Sequence, residues 1–237
     1  MLQLAPDLSW LIRWAEPQRL LHARQDDDLG YALHAALRAA FGDLAPAPFA
    51  LVRDAARPAR LLAYSGHAAA ALREHASAFA EPDVAGFLGL ADLAEKPMPD
   101  RFAEGRRLGF SLRVRPVVRT DRAGDRAHTR ERDAFLAAIE GTAPGAGPSR
   151  GDVYQAWLAQ RLAEGGARPE QLILDSFRLT TTMRRDSARK PRGLRGPDAS
   201  FSGVLAVADP DRFAALLARG VGRHRAFGFG MLLLRPV

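Results

Sequence analysis

The run Gly220-Val221-Gly222-Arg223-His224-Arg225-Ala226-Phe227-Gly228-Phe229-Gly230-Met231-Leu232 constrains this chain more than any other segment. It holds four glycines. It follows a stretch, Phe213 to Arg219, that reads as a helix begun by Asp209 and Pro210. It precedes Met231 to Leu234, which read as a strand. Glycine permits tight turns and close approach of one backbone to another. The order helix, loop, strand excludes a dinucleotide-binding fingerprint, which lies between a strand and a helix. Two readings remain. The run can be a packing turn between domains. Alternatively, backbone N–H groups at Gly220, Gly222, Gly228 and Gly230, with Arg223 and Arg225 beside them, can cradle phosphates. His224 sits in the same run.

Short β-like and α-like segments alternate through the rest. Leu8 to Trp14 reads as a first strand with Trp10, Ile12 and Trp14 on one face. Tyr31 to Phe41 reads as a helix capped by Asp27 or Asp28 and ended by Gly42, with Leu33, Leu37 and Phe41 facing a core. Phe49 to Val52 and Arg60 to Tyr64 read as strands joined by a turn at Pro58, and Ala68 to Phe79 as a helix. From Phe110 to Arg115 the pattern alternates: Phe110, Leu112 and Val114 point one way, Ser111, Arg113 and Arg115 the other. That is a half-buried strand with an arginine-bearing face. Residues 141–151 are rich in glycine and proline and read as a linker. Beyond it come an amphipathic helix around Tyr154, Trp157, Leu158 and Leu162, then strands at Leu172 to Met183 and Phe201 to Val207. The expected architecture is α+β: two tandem ferredoxin-like domains, 1–140 and 152–237. The fold alone decides no function.

The formal charge is +7, and Lys96 and Lys190 are the only lysines. A cationic chain suits a polyanionic partner, and guanidinium forks suit phosphates and guanine edges. Codon bias toward arginine explains the same composition. The charge concentrates in one loop, where Arg184, Arg185, Arg189, Lys190, Arg192 and Arg195 face a single acid, Asp186. Such a run is either a solvated loop or, between two strands, an arm that grips RNA with strong salt dependence. The absence of cysteine excludes disulfides, thiolate chemistry and Cys-based zinc sites. It agrees with a cytoplasmic location. No apolar run is long enough to span a bilayer, and the first residues do not read as a signal peptide.

Tyr31 and His34 lie three apart on one helix, so they share a face. Histidine titrates near neutrality and can pass a proton; a histidine on a helix is also commonly structural or merely exposed. No HExxH, cysteine pair or acidic cluster for metal-dependent nuclease chemistry stands out in the sequence, and no P-loop or GxSxG occurs. No cofactor is expected.

The glycine run resembles the signature of CRISPR repeat-processing ribonucleases. Tyr31-x-x-His34 with Leu37 and Phe41, the strand Phe110 to Pro116, Tyr154-x-x-Trp157-Leu158 and Phe201-Ser202-Gly203-Val204-Leu205 follow in the order of the CasE branch. The segment from Pro82 to Glu104 carries little of the resemblance. It implies tandem RAMP domains, a hairpin repeat RNA as substrate, retention of the crRNA stem-loop, and a place beside other Cascade subunits. It implies His34 and Tyr31 as the catalytic pair. It implies RNA contact by the arginine loop, the glycine run, Arg113 and Arg115. Some relatives place a lysine near the site; neither lysine here is near His34 in sequence, so an arginine would have to take that role, and Arg38, one turn beyond His34, is the candidate. The implied reaction is attack of a ribose 2′-hydroxyl on the adjacent phosphate, without a metal. The alternatives are an RNA-binding subunit without catalysis and a protein scaffold without RNA affinity.

Overall fold

The computed structural model describes residues 1–21, 28–54, 56–122, 125–143, 146–185 and 191–237. Its first strand is β1, Leu2–Leu4. Leu8–Ala15, expected as a strand, is helix α1. Asp7 caps it by accepting from the Trp10 N–H at 2.9 Å. Leu11 and Ala15, four apart, are the buried pair, while Ile12 is exposed. Trp10 and Trp14 then fall one turn apart and both rest on Phe87. The local alternation of large side chains was real, but burial follows the helical period.

Helix α2 is Gly30–Phe41 and ends at Gly42. Strands β2, Phe49–Asp54, and β3, Arg57–Ala63, follow; Pro58 lies in β3 and not in the turn before it. Helices α3, Ala69–Phe79, and α4, Pro82–Leu88, lead to the short strand β4, Ala94–Glu95. All strand pairs in this sheet are antiparallel, in the order β2-β3-β1-β4. Leu33, Leu37 and Phe41 of α2 join Leu2, Leu4, Phe49 and Leu61 of the sheet in one core.

The second sheet starts with β5, Arg107–Val114. An antiparallel hairpin of β6, Val117–Arg122, and β7, Asp125–Asp133, leads to the short helix α5, Ala134–Ala138. Helix α6, Arg150–Glu164, is capped by Ser149 and buries Tyr154, Trp157, Leu158 and Leu162. The long strands β8, Ala167–Arg185, and β9, Pro191–Val207, pair along their whole length to Arg185 and Pro191. Helix α7, Pro210–Arg219, is capped by Asp209, and β10, Leu233–Arg235, closes the sheet. Its order is β10-β5-β9-β8, again antiparallel throughout.

Numbered within each unit, both sheets read 4-1-3-2 with helices at the two crossovers, which is the ferredoxin-like arrangement. The expected tandem is present. The sheets divide the chain between Glu95 and Arg107. Segment 141–151 instead lies inside the second unit, joining α5 to α6, and its last two residues already belong to α6. Ala134 of α5 and the buried face of α6 pack in the same core as β5. The hairpin β6–β7 is therefore an insertion between the first strand and first helix of that unit.

Candidate active site and nucleic-acid interface

The start of α2 meets the glycine-rich run. Gly30 makes this possible: a Cβ there would stand 2.1 Å from the Phe227 carbonyl oxygen, closer than any side chain can come. From the first turn of α2, Tyr31 and His34 present adjacent rings, 6.4 Å apart. Phe227 completes the group, 5.6 Å from Tyr31 and 5.3 Å from His34, edge-on to the imidazole. Both members of the pair are half-buried. Burial, then the positive charge of Arg38, lowers the His34 pKa below its ordinary value. Arg38 is exposed and pairs with Asp43 at 2.8 Å. Both effects favour the neutral imidazole, the form that can accept a proton.

The glycine run is held by a carboxylate that the sequence did not single out. His224 adopts a left-handed conformation, φ 60°, and its Nε2 lies 2.6 Å from Glu131 of β7. Arg223 donates to the other oxygen of Glu131. The His224 hydrogen bond, helped by the charges of His224 and Arg223 and opposed by burial, holds the Glu131 carboxyl down at about 2. His224 is therefore an anchor of the loop, its side chain 6% exposed. Gly220, Gly228 and Gly230 are buried and Gly222 is half-buried. Gly230 shows why: at φ 81°, a Cβ would stand 2.3 Å from the Val221 carbonyl oxygen, and its N–H donates to Arg113 O at 2.7 Å. Packing accounts for these glycines. Arg223 and Arg225 remain exposed at the surface of the run.

Behind the site lies a polar seam between the two units. Asp28 accepts from the Gly30 N–H at 3.0 Å and from the Thr182 hydroxyl at 3.0 Å, with its side chain 1% exposed. Arg115 donates to Thr182 Oγ1 at 2.7 Å and to the carbonyls of Thr180, Leu194 and Pro197. Arg113 makes a two-pronged pair with Asp198 at 2.8 and 2.7 Å, and Arg178 reaches the same carboxylate at 3.0 Å. Burial alone would raise Asp198; the hydrogen bonds and charges of Arg113 and Arg178 outweigh it and lower the pKa. The guanidiniums of Arg113 and Arg115 also lie over the Phe229 ring, at 4.3 Å and 5.5 Å.

Arg115, expected on an exposed strand face, is instead 1% exposed. Strand β5 ends at Val114, so the alternation stops one residue earlier. Arg113 is partly buried and already paired. Of the arginine loop, Arg195 is exposed on β9. Arg189 and Lys190 lie outside the described residues, as do the side chains of Arg184, Arg185 and Arg192, although the backbones of these last three extend the β8–β9 ladder. Asp27, the other cap considered for α2, is also outside them; the cap position is taken by Leu29, and Asp28, one residue before it, accepts from the Gly30 N–H.

A family profile described as "CRISPR associated protein" matches residues 9–236. The chain belongs to this family. Among curated relatives, it is similar to the CRISPR-associated endoribonuclease Cse3 of Thermus thermophilus, 32% identical over 149 residues. That match spans 60% of this chain and 61% of the relative's length. Among solved structures, Cse3 bound to a 19-nucleotide RNA has the same fold, with a TM-score of 0.66 at 21% identity over 99% of both chains. A chain of a CRISPR RNA-guided surveillance complex does too, with a TM-score of 0.58 at 16% identity, covering 100% of this chain and 99% of that one. The resemblance to the CasE branch read from the sequence is borne out. Among the described residues of this CRISPR-associated protein, no helix is long and apolar enough to cross a membrane.

Sequence reasoning singled out Tyr31 and His34 and quoted Phe227 within the glycine run, and the fold brings all three together. It missed Glu131, Asp28 as a seam residue, Thr182 and Asp198. Glu131 acts on a partner 93 positions away, and no local pattern marks it.

Proposed function

We propose that this chain is an endoribonuclease that cuts a CRISPR repeat hairpin in precursor RNA and keeps the stem-loop as a subunit of a Cascade-type complex in the cytoplasm. One observation carries the reading: Tyr31 and His34 sit together at the start of α2, braced by Phe227 of the glycine-rich run. The similarity to Cse3 supports the same activity, and the similarity to a surveillance-complex chain supports the partners.

The nucleophile belongs to the substrate. A ribose 2′-oxygen attacks the adjacent phosphorus in line, and the bond from phosphorus to the 5′-oxygen breaks. The products are a 2′,3′-cyclic phosphate and a 5′-hydroxyl. The protein has to align the attack, move protons and steady the charge on the phosphate, tasks that side chains can perform without a metal. His34 accepts the 2′-hydroxyl proton, and the departing 5′-oxygen takes its proton from solvent water. Tyr31, on the same helix face, orients the hydroxyl or a phosphate oxygen. Arg38, one turn further on, supplies positive charge. The stem is held by the β8–β9 arm through Arg195 and the other basic residues of the sequence run that includes Arg184, Arg185, Arg189, Lys190 and Arg192.

The test uses a labelled cognate repeat hairpin in excess EDTA with the wild-type protein and His34→Ala. Cleavage at one position by wild type alone, with both proteins binding, is expected. A 2′-deoxy nucleotide at that position should block cutting and leave binding intact. Cutting of the deoxy RNA overturns the mechanism, and binding of cognate repeats without cleavage leaves an RNA-binding subunit.

A further inference from the structure

The glycine-rich run has a second side. Away from α2, it forms one wall of a cavity of about 480 Å³ that nothing in the proposed cleavage uses. The other walls are β6 and the ends of α6 and α7, and they bring Arg119, Arg161 and Arg219 beside Arg223 and Arg225. Arg119 and Arg219 are exposed, and Arg161 is 37% exposed. Among the described residues, the acids near these five guanidiniums are Glu164, which lines the cavity and pairs with Arg161 at 2.9 Å, and Glu131, which holds Arg223. Among the described residues, five positive charges against two negative leave the basin net positive by three. Trp157 closes its floor: it is 7% exposed, with its indole N–H donating to Val117 O at 3.2 Å.

The basin also connects to the catalytic pair. A neighbouring cavity of about 600 Å³ shares Arg219, Gly222, Arg223 and Arg225 with it and ends at Phe227. Phe227 touches His34 and Tyr31. A continuous arginine-lined path therefore runs from the site of cutting, over the glycine run, into the basin. The groups of the basin suit phosphodiesters and not bases: guanidiniums line it, and Trp157, the one aromatic ring among its described lining residues, lies in the floor, already packed. A duplex is too wide for cavities of this size, whereas one strand presents a phosphate at each step.

Resting on the cleavage reading above, we propose that this basin is the track for the single strand that continues from the scissile phosphate beyond the hairpin, with Arg119, Arg161 and Arg219 as its phosphate contacts. The stem is held on one side of the glycine run, and the flanking strand is drawn across to the other. This geometry pulls the chain taut at the cut.

The experiment compares wild type with Arg119→Ala/Arg161→Ala/Arg219→Ala on three RNAs: the hairpin alone, the hairpin with a single-stranded extension on its 3′ side, and the hairpin with one on its 5′ side. Affinity is measured against salt. One extension should tighten wild-type binding and steepen its salt dependence. The triple variant should lose that increment, with the slope of log affinity on log salt falling in magnitude by about 2 for three single-strand phosphate contacts. Its binding and cutting of the hairpin alone should be unchanged, which also shows that it folds and separates this proposal from the cleavage reading. An extension that adds nothing on either side overturns the track. So does a triple variant that still gains from the extension, which would leave the basin to an acidic protein surface.

Discussion

The Thr182 hydroxyl donates to the Asp28 carboxylate across 3.0 Å, between residues 154 positions apart. The same hydroxyl accepts from Arg115, and the same carboxylate holds the first N–H of helix α2. A single side chain on β8 thus links the arm's base to the segment that carries Tyr31 and His34.

Thr182→Val should therefore do two things. It leaves Asp28 and Arg115 each short of one buried partner, which costs roughly 1–3 kcal/mol. It also frees the start of α2, so the cleavage rate at saturating RNA should fall by more than the affinity. Thr182→Ser, which keeps the hydroxyl, should restore both. Thermal melting and single-turnover cleavage read the two effects.

The pH dependence of cutting follows from His34. Its pKa lies below 6.5, because burial and Arg38 both disfavour the charged form. If the imidazole takes the proton of the 2′-hydroxyl, the rate rises with pH through a midpoint below 6.5 and then levels. Arg38→Gln removes a like charge and should move that midpoint upward. A single-turnover pH profile of both proteins checks the direction.

Glu131 makes the glycine run acid-sensitive. Its folded pKa of about 2 lies under that of an unfolded glutamate, so its contribution is full above the unfolded value and fades as pH falls toward the folded one. Urea unfolding at about pH 5 and about pH 3 should show a larger loss of stability in wild type than in Glu131→Gln. At neutral pH that variant should be the less stable of the two.

Tyr64 gives the opposite sign at high pH. Its phenol donates to Leu232 O at 2.8 Å, and burial pushes its pKa up to about 12. The folded protein holds this proton more tightly, so stability is full below about pH 10 and declines from there to 12. Tyr64→Phe leaves the carbonyl unpaired, costs about 1–3 kcal/mol at neutral pH, and removes this alkaline decline. Unfolding curves across that range test it.

The sequence was most legible where local rules decide the outcome. The alternation of Phe110, Leu112 and Val114 is β5, the apolar face of Tyr154 to Leu162 is α6, and Asp209 with Pro210 opens α7. It was least legible where distant partners decide. Arg115 continued the polar side of an alternating strand on paper, yet its acceptors lie on the β8–β9 hairpin 65 to 82 positions away. Segment 141–151 reads as an interdomain linker because glycine and proline mark any loop; strand pairing alone reveals that β5 belongs with β8 and β9. At the site, the spacing of Tyr31 and His34 was visible, but nothing in it foretold the buried seam beneath.

That seam has a consequence for how the protein comes apart. Asp28 ties the first unit to β8, and Tyr64 ties it to the residue that leads into β10. Two ferredoxin-like units fastened at both places cannot separate without stranding a carboxylate and a phenol, so they should melt in one cooperative step. A calorimetric trace should show a single peak, and either half expressed alone should fail to hold a native core.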